Sequence, residues 1–594
     1  MLNHVGKMLL ALRLEKGISQ AELANGITSV TQLSKIETGV KEADWLLLQA
    51  LFQRVGKSVD KLELTVSCEE YQLFEMKRKA LEQLLAGISI KRNLEEYHKK
   101  IDASERLYVQ SYLQLEAAEM FLQGKDKAEC ICQLEKALAV TFTGWKQPGC
   151  EKNYFCVQEI EIVLMILYLV QGSQLELKRL LNYIEDHFTD AEERVKLYPK
   201  CAWLIAKSLL KEGNVEKAYA QLCLGEKCLA QNGSLTFMRQ ILELEIKCLE
   251  QLKKKGEKEK KEKYLEAIDF AEQIAGVKQE PEIFFLFMFS SQQSEVMLSN
   301  ELIRELRVSQ KLSQAELGAG ICERETLSRI ESGKRRINRK NFYKLLDKMN
   351  VNRHTYYGFI VAEDYSLYEK VREFNRTMAK GNGAEAEQIL EELKEKLDLE
   401  EVVNRQFVET MECNVGKPVK ENYERTTQKL LDILSYTMDV ESEIVSRTPF
   451  RLEFMILNRI ALCQKRIGRL EDSIDIYEKI LQKYESSKVC GECHSVTLAL
   501  LYRNYIGVLE EANRIGEAEK LGLDGIKLTL SCQRGDFVGK ILANLSSVYG
   551  KDIERKEKEE KYLRNSYYLL SLYKNNCKIL SDAYEDKYAR KLQY

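Results

Sequence analysis

The chain has 594 residues and a formal net charge of −2, with 45% hydrophobic and 31% charged residues. This length is too great for one hydrophobic core, so we expect several domains. The near-neutral charge excludes a global basic field, so any affinity for nucleic acid must come from a local patch. Only five prolines are present, and Leu, Glu, Lys and Ala abound, which favours helix almost throughout.

The sequence repeats itself. Residues 12–39 and 306–333 align without a gap, and 14 of the 28 positions are identical. The segments EEYQLFE (69–75) and EDYSLYE (363–369) keep the same offset of 294 residues, and KEKKEKYL (258–265) matches KEKEEKYL (556–563). Matches in the same order along both halves indicate a tandem duplication of a unit of about 295 residues.

Each unit begins with a helix, a tight turn and a second helix. The spacing of Ser19 and Glu22, repeated at Ser313 and Glu316, predicts a capping box at the start of the first helix. Glycine follows in both copies and allows a tight turn. In the next helix, apolar residues at i, i+3 spacing are predicted to face inward, namely Leu33, Ile36, Leu327 and Ile330. This is the pattern of a helix-turn-helix.

Pairs of amphipathic helices follow each module. Small residues recur around their turns, as at Ala206, Gly213 and Ala218, and allow two helices to approach closely. This pattern is typical of tetratricopeptide (TPR) repeats, with a plain helical array as the alternative. Both interpretations predict an all-α solenoid with a concave face. We predict helix-turn-helix modules at 1–64 and 297–360, and TPR-like helical domains at 65–296 and 361–594.

The local charge distinguishes the two modules. Residues 322–340 contain seven basic and three acidic residues, for a net charge of +4, whereas the matching residues 28–46 have a net charge of −1. Phosphate contacts supply much of the affinity for DNA. We therefore expect the second module to bind DNA, and the first to bind weakly or to serve mainly as a structural partner. The alternative is that both modules bind, as two unlike half-sites.

The pattern SQAEL…G…LS(K/R)IE(T/S)G resembles the Cro/phage-repressor helix-turn-helix of the XRE family. The resemblance implies that the second helix of each module reads the major groove of double-stranded DNA, while neighbouring positions hold phosphates. In such a complex, Arg324 and Arg329 would donate hydrogen bonds to guanine edges, and Glu323 or Glu325 would accept one from cytosine N4. The implied DNA-binding residues are Gln314, Glu323, Arg324, Glu325, Ser328, Arg329, Lys334, Arg335, Arg336 and Arg339 in the second module, and Gln20, Thr31 and Lys35 in the first.

The order of a helix-turn-helix and TPR-like helices resembles the RRNPP regulators of Gram-positive bacteria. These are cytoplasmic transcription factors that bind short imported signal peptides in the concave groove and normally act as homodimers. The resemblance implies a signal peptide as partner, in either a homodimer or, because of the duplication, an intramolecular pseudo-dimer. Asparagine amides can pair with a peptide backbone, and Asn458, Asn504 and Asn544 fall on the first helix of successive pairs in the second half.

One further motif is the string CGECH from Cys490 to His494. Its spacing is that of c-type haem attachment, which needs an exported protein, and a zinc site would need two further ligands. A redox switch is a third interpretation. We favour an incidental pair of free thiols.

The remaining expectations are negative. Neither a signal peptide nor an apolar run of about 18 residues is present, which predicts a cytoplasmic protein without a membrane partner. The sequence lacks recognised catalytic motifs and its five histidines are dispersed. We therefore predict a non-enzymatic regulator of transcription with no cofactor, no catalytic residue and no metal site. The alternative is a protein–protein scaffold or anti-regulator with vestigial helix-turn-helix modules.

Overall fold

A computed structural model describes residues 4–142, 153–277, 289, 295–351, 358–415, 422–438, 444–573 and 577–588. Within these ranges the chain is almost entirely helical, which confirms the predicted all-α class. The sequence analysis did not anticipate two short strands, which lie next to the two helix-turn-helix modules.

Each module contains four helices and lies next to one strand. The first comprises α1 His4–Glu15, α2 Gln20–Ala24, α3 Val30–Glu37, α4 Trp45–Arg54 and then β1 Glu63–Val66. The second comprises β2 Glu295–Leu298 and then α15 Ser299–Ser309, α16 Gln314–Gly318, α17 Arg324–Glu331 and α18 Arg339–Lys348. Strand β1 crosses the predicted domain boundary at residue 64.

A long series of helices follows each module. The first helical domain comprises α5 Cys68–Leu85, α6 Lys91–Lys100, α7 Arg106–Leu122, α8 Lys127–Ala139, α9 Val157–Val170, α10 Gln174–His187, α11 Ala191–Lys211, α12 Val215–Gln231, α13 Met238–Gln251 and α14 Lys255–Ala275. The second comprises α19 Tyr365–Ala379, α20 Gly383–Lys396, α21 Val402–Val415, α22 Tyr423–Leu434, α23 Arg451–Arg466, α24 Leu470–Ser486, α25 Ser495–Glu511, α26 Ile515–Ser531, α27 Gly535–Tyr549, α28 Lys556–Leu572 and α29 Lys578–Tyr588.

Consecutive helices pack in pairs because small residues stand at their contacts. Between α11 and α12, Gly213 has a φ of +78°, a conformation that favours glycine. On α12, a Cβ at Gly225 would lie 3.6 Å from the Cβ of Ala202 on α11, so a larger side chain would push these helices apart. The predicted arrangement of TPR-like helix pairs is confirmed.

The two strands join the two modules. Strands β1 and β2 pair in parallel, with Glu63 opposite Glu295 and Val66 opposite Leu298. The chain therefore leaves the first module directly beside the point where it enters the second.

The first helix of each helical domain packs against the other half of the chain. On α5, the hydroxyl of Tyr71 accepts the backbone N–H of Cys490 at 2.6 Å. On α19, the hydroxyl of Tyr365 lies 2.5 Å from Oδ2 of Asp190 and 2.7 Å from the carbonyl oxygen of Ser58. Because Tyr71 and Tyr365 are 294 residues apart, they are equivalent positions of the repeat. Each half thus contacts the other through an equivalent tyrosine.

The halves meet again at the far end of the helical domains. Ser234 and Arg534 form an isolated antiparallel bridge, and the ring of Phe270 on α14 lies 5.0 Å from that of Tyr562 on α28 in an edge-to-face contact. Two halves of one chain therefore pack together as the subunits of a symmetric dimer do.

Within the described ranges, no helix is both long and apolar enough to cross a membrane. The cysteines of those ranges are free thiols.

Candidate nucleic-acid interface and ligand groove

Both modules begin their helix-turn-helix with the predicted capping box. The hydroxyl of Ser19 accepts the N–H of Glu22 at 3.2 Å, and the Glu22 carboxylate accepts the N–H of Ser19 at 2.8 Å. Ser313 and Glu316 repeat this arrangement at 3.1 and 2.7 Å. Since both copies satisfy the same orphan N–H groups, both fold locally in the same way.

A shared network holds the loop after the second helix. Arg307 donates from Nε to Oε1 of Glu331 at 2.6 Å, and the amide of Gln314 donates to Oε2 at 2.8 Å. In the first module, Gln20 donates to Glu37 in the same way at 2.7 Å. One amide N–H of each glutamine is thus used inside its own module, which leaves the second N–H for the predicted phosphate contact.

Helix α17 of the second module presents its predicted base-contacting side chains to solvent. The inward face carries Leu327 and Ile330, which are buried in the module. The outward residues, which are all exposed, are Glu323, Arg324, Glu325, Ser328 and Arg329. This face therefore remains accessible to a partner.

The basic residues of the loop after α17 differ in whether they contact the other half of the protein. Lys334 and Arg335 are exposed, and Arg335 donates from Nη1 to the hydroxyl of Thr326 at 3.2 Å. Arg336, by contrast, lies 3.1 Å from the carboxylate of Glu70 on α5. Part of the predicted phosphate clamp therefore contacts the other half of the protein.

Arg339 makes two contacts with the first module, whereas Arg336 pairs with α5. Its Nε lies 3.1 Å from the carboxylate of Glu42, and its Nη1 donates to the carbonyl of Gly39 at 2.9 Å, so both partners belong to the first module. In the sequence analysis, Glu42 is one of the acidic residues that give residues 28–46 their net charge of −1. In the structure it is an interface residue between the two modules.

The turn of the first module is covered, whereas the turn of the second is open. Gly26 has a φ of +74°, and a Cβ there would lie 1.8 Å from the carbonyl oxygen of Thr141. Arg106 also donates to the Gly26 carbonyl at 3.2 Å. Gly320 has a φ of +77°, and within the described part of the chain no atom lies within 4 Å of its Cβ position.

Predicted DNA-binding residues of the first module are exposed, but the turn beside them is covered. Thr31 and Lys35 are exposed on α3, so the reading face itself is not buried. The turn that precedes this helix, however, is packed on the C-terminal side of α8. The helical domain therefore lies directly beside α3 on the side of this turn.

A buried polar network fixes the first module to its helical domain. Arg54 lies 2.7 Å from Glu159 on α9, with side chains only 3% and 0% exposed. Lys61 forms an ion pair with Asp190 at the start of α11. Although burial raises the pKa of Asp190, the positive charge of Lys61 and its hydrogen bonds lower it to about 2. The Asp190 carboxylate is therefore ionised at neutral pH, and its ion pair with Lys61 holds the module to α11.

The second module is packed differently. The apolar residues of its four helices form a separate core, which Phe450 joins from the second helical domain. The first module instead shares one continuous core with the helical domains. The members of the separate core are Leu302, Ile303, Leu306, Leu317, Leu327, Ile330, Tyr343, Leu345, Leu346, Met349 and Phe450.

The three predicted peptide-binding asparagines lie on alternate helices of the second helical domain. Asn458 on α23 accepts at Oδ1 from the hydroxyl of Tyr477 and from the amide of Asn504 on α25, both at 2.8 Å. Asn544 on α27 donates to the carbonyl of Arg503 at 2.5 Å. The structure thus brings Asn458 and Asn504 into contact and places Asn544 one such helix further along.

Two cations stand beside these asparagines, and the sequence analysis did not single them out. Burial lowers the pKa of Arg503, and burial together with the charges of Arg503 and Arg534 lowers that of Lys540. An offset of 300 residues aligns Arg503 with Trp203 and Lys540 with Gln240 in the first half, which are uncharged. This comparison of the two halves is a sequence signal that could have found them.

A buried acidic pair lies where the two strands join the modules. Burial, and secondly the charge of Glu295, raise the pKa of Glu63 to about 8. Glu295 is bonded instead to Nδ1 of His494 and to the hydroxyl of Thr497, both at 3.0 Å. The backbone N–H of Arg451 donates to Glu63 at 2.8 Å. No sequence pattern predicted that these carboxylates would meet.

The CGECH string lies at the contact between the halves. The Sγ atoms of Cys490 and Cys493 are 3.7 Å apart, and His494 is already bonded to Glu295. In the part of the chain that the structure describes, no three His, Cys, Asp or Glu side chains are grouped closely enough to hold a metal ion. The zinc interpretation thus gains no further ligand among these residues.

One of the comparisons with known proteins matches both modules. The helix-turn-helix family model matches residues 9–62 and again residues 303–354. The chain carries two helix-turn-helix domains of the XRE type. Because these domains are of a DNA-binding type, the chain is a DNA-binding regulator. No curated protein matches the sequence.

Several solved structures are similar over about half of this chain. They include PlcR of Bacillus thuringiensis in complex with the peptide PapR7 and DNA, at 18% identity and a TM-score of 0.32, covering 49% of this chain and 99% of PlcR. ComR of S. thermophilus, in complex with DNA and its signalling peptide ComS, is 11% identical with a TM-score of 0.30, covering 48% and 97%. The pheromone receptor Rgg2 of Streptococcus dysgalactiae is 15% identical with a TM-score of 0.26, covering 47% and 99%.

Proposed function

We propose that this protein is a cytoplasmic, sequence-specific regulator of transcription that reads DNA mainly through its second module. The exposed face of α17 supports this proposal, because its charged side chains are free of the protein core. Arg324 and Arg329 would read guanine edges in the major groove. Lys334 and Arg335 would hold phosphates, whereas Arg336 and Arg339 would contribute only after release from their carboxylate partners.

The DNA-reading proposal is tested by selecting binding sites from random double-stranded DNA with the full chain. We expect an enriched sequence that Arg329→Ala binds about 10- to 100-fold more weakly. Lys35→Ala is the matched control, since Lys35 is the equivalent residue of the first module. An equal loss in both variants would indicate that both modules read DNA.

Phosphate contacts are tested by the dependence of affinity on salt. Removing one phosphate contact reduces the slope of log affinity against log salt by about one. We expect this for Arg335→Ala and not for its first-module counterpart, Lys41→Ala. If no random DNA is enriched and neither variant changes the salt dependence, the protein is better described as a scaffold with vestigial modules.

We further propose that a short peptide binds in the groove of the second helical domain. The amides of Asn504 and Asn544 support a backbone-binding role, and Asn458 orients Asn504 through their hydrogen bond. Peptide binding would shift the population of helical-domain conformations and so change the spacing of the two modules. Two half-sites one turn of DNA apart require about 34 Å between reading helices, so a change of a few ångströms alters binding.

The peptide proposal is tested by thermal shift with a library of short synthetic peptides, followed by calorimetry. Asn504→Ala should weaken binding of any selected peptide by about tenfold. Asn232→Ala, at the end of α12 in the first half, is the control and should bind normally. A library without any stabilising peptide, or equal binding by both variants, would contradict the proposal.

The same proposal treats the single chain as the working unit, with the two halves in place of two subunits. Light scattering should then give a protein mass near 68.8 kDa for the free chain, and the same protein mass in the DNA complex once the mass of the DNA is subtracted. A mass twice as large on DNA would instead indicate a homodimer.

A further inference from the structure

The contact of Tyr365 with Asp190 and that of Tyr71 with Cys490 lie at equivalent positions of the repeat. The residues that the two tyrosines meet differ in their side-chain chemistry. Ala218 on α12 and Ala518 on α26 are 300 residues apart, and the same offset aligns Asp190 with Cys490 and Glu193 with Cys493. One half therefore has two carboxylates where the other has two thiols.

In the half with the carboxylates, the contact is held by charge. Asp190 forms an ion pair with Lys61 and lies beside the hydroxyl of Tyr365. Glu193 accepts the hydroxyl of Ser58 at 2.6 Å within the same half. Arg372 on α19 pairs across the halves with Glu192 at 2.8 Å. Hydrogen bonds and ion pairs that are buried in this way give a contact that does not respond to oxidants.

In the half with the thiols, the contact has two parts that differ in strength. The backbone N–H of Cys490 donates to Tyr71 at 2.6 Å. Arg78 on α5 lies 3.7 Å from Glu492, a distance that makes a weak ion pair. Cys490 caps the short turn Gly491–His494 at its start, and Cys493 lies within that turn.

The geometry of the dithiol suits bond formation. Its Sγ atoms are 3.7 Å apart, and a disulfide requires about 2.05 Å, so a movement of less than 2 Å closes the bond. Cys493 is buried, whereas Cys490 is partly accessible, so one thiol can meet an oxidant and the other can resolve it. The hydrogen bond with Cys493, and a further one with Tyr71, lower the pKa of Cys490, which favours its reactive thiolate.

We propose that Cys490 and Cys493 are an oxidation site, which a hydroperoxide converts to a reversible intramolecular disulfide at the contact between α5 and the second half. The Cys490 thiolate attacks the peroxide oxygen, the O–O bond breaks, and with one proton the products are a sulfenic acid and water or an alcohol. The Cys493 sulfur then attacks the sulfenic sulfur and releases water. Two electrons pass from the two thiols to the peroxide, and a thiol reductant reverses the change.

The bond would act on the contact between the halves. Because Cys493 is held in the core, Cys490 must supply most of the movement. Its backbone N–H would then shift from the hydroxyl of Tyr71, and the exchange contact of α5 would weaken. The equivalent contact of Tyr365 with Asp190 would remain, so oxidation would loosen one side of the molecule only.

The test is oxidation of the intact chain with hydrogen peroxide, followed by alkylation and mass spectrometry. We expect one peptide that contains both Cys490 and Cys493, lighter by two hydrogens and restored by dithiothreitol. It should form at least about tenfold faster than oxidation of Cys132, an exposed cysteine on α8. Hydrogen–deuterium exchange of residues 488–494 should rise in the oxidised protein.

Three variants separate the alternatives. Cys490→Ser should abolish the disulfide while the circular dichroism of the chain is unchanged, and Cys493→Ala should leave Cys490 as a sulfenic acid that a dimedone probe traps. Burial raises the pKa of Cys532 to about 12, and the charge of Cys490 contributes to this rise. Cys532→Ser is therefore the control and should still form the disulfide. A bond from Cys490 to Cys532, or oxidation of Cys490 no faster than Cys132, would overturn the proposal.

Discussion

The two helix-turn-helix modules have the same internal framework and different surroundings. Gly26 and Gly320 adopt the same left-handed conformation in the same turn. The first lies against the carbonyl of Thr141, whereas the second has open space around its Cβ position. The comparison teaches that a motif fixes the shape of a module, while the rest of the chain decides which of its surfaces a partner can reach.

The charges of the modules teach a second lesson. The basic loop of the second module and the acidic loop of the first are complementary, since Arg339 pairs with Glu42. Arg336 likewise pairs with Glu70. The divergence of the two copies therefore formed an interface between them as well as a difference in predicted DNA affinity.

The largest difference in stability between the two modules is expected when the buried arginine of the first module is removed. Arg54→Ala leaves Glu159 buried without its partner, so the free energy of unfolding should fall by about 3–5 kcal/mol. Lys348, the equivalent residue of the second module, donates to the Ala319 carbonyl at its exposed surface. Lys348→Ala should cost less than about 1 kcal/mol. Chemical denaturation of both variants measures the difference, and equal losses would contradict the unequal docking of the modules.

The turn glycines provide a second test. Gly320→Ala places a side chain at positive φ and should cost about 1–2 kcal/mol. Gly26→Ala adds the overlap with Thr141 and should cost at least about 2 kcal/mol more. Thermal unfolding followed by circular dichroism compares the two. If the costs are the same, the first turn is not packed on α8.

The strand junction makes the link between the modules sensitive to pH. Glu63 has a pKa raised from 4.5 to about 8, so the folded protein keeps a proton that the unfolded chain has lost. Its contribution to stability is present below about pH 4.5 and is lost as the pH rises through about 8. Glu63→Gln should flatten the decline in melting temperature between pH 6 and about 9. Exposed Glu15→Gln, the control, should retain it, and an unchanged profile for Glu63→Gln would refute the assignment.

The smallest effect is expected at the interface of the two loops. Glu42 is half exposed, so Glu42→Ala should change the free energy of unfolding by less than about 1 kcal/mol. Release of Arg339 should raise affinity for random DNA about twofold at low salt. Fluorescence anisotropy measures this, with Glu15→Ala as the matched loss of one negative charge. A fall in affinity would show that Glu42 positions Arg339 for DNA.

The sequence by itself determined much of this protein. The serine–glutamate spacing and the turn glycines determine each helix-turn-helix, because capping and positive φ are local requirements. The order of the matched segments revealed the duplication, and the basic loop identified the better candidate for DNA. The sequence analysis singled out the dithiol as the CGECH string, and the 300-residue offset could also have shown that Cys490 stands where the first half has Asp190.

Only the tertiary structure decided what these residues touch. Glu63 and Glu295 are far apart in sequence and meet because two strands pair in parallel. Arg339 meets Glu42 because the modules lie side by side, and Tyr71 meets Cys490 because the halves exchange helices. Periodicity along one chain encodes which face of a helix is buried, but it carries no information about which distant segment covers that face.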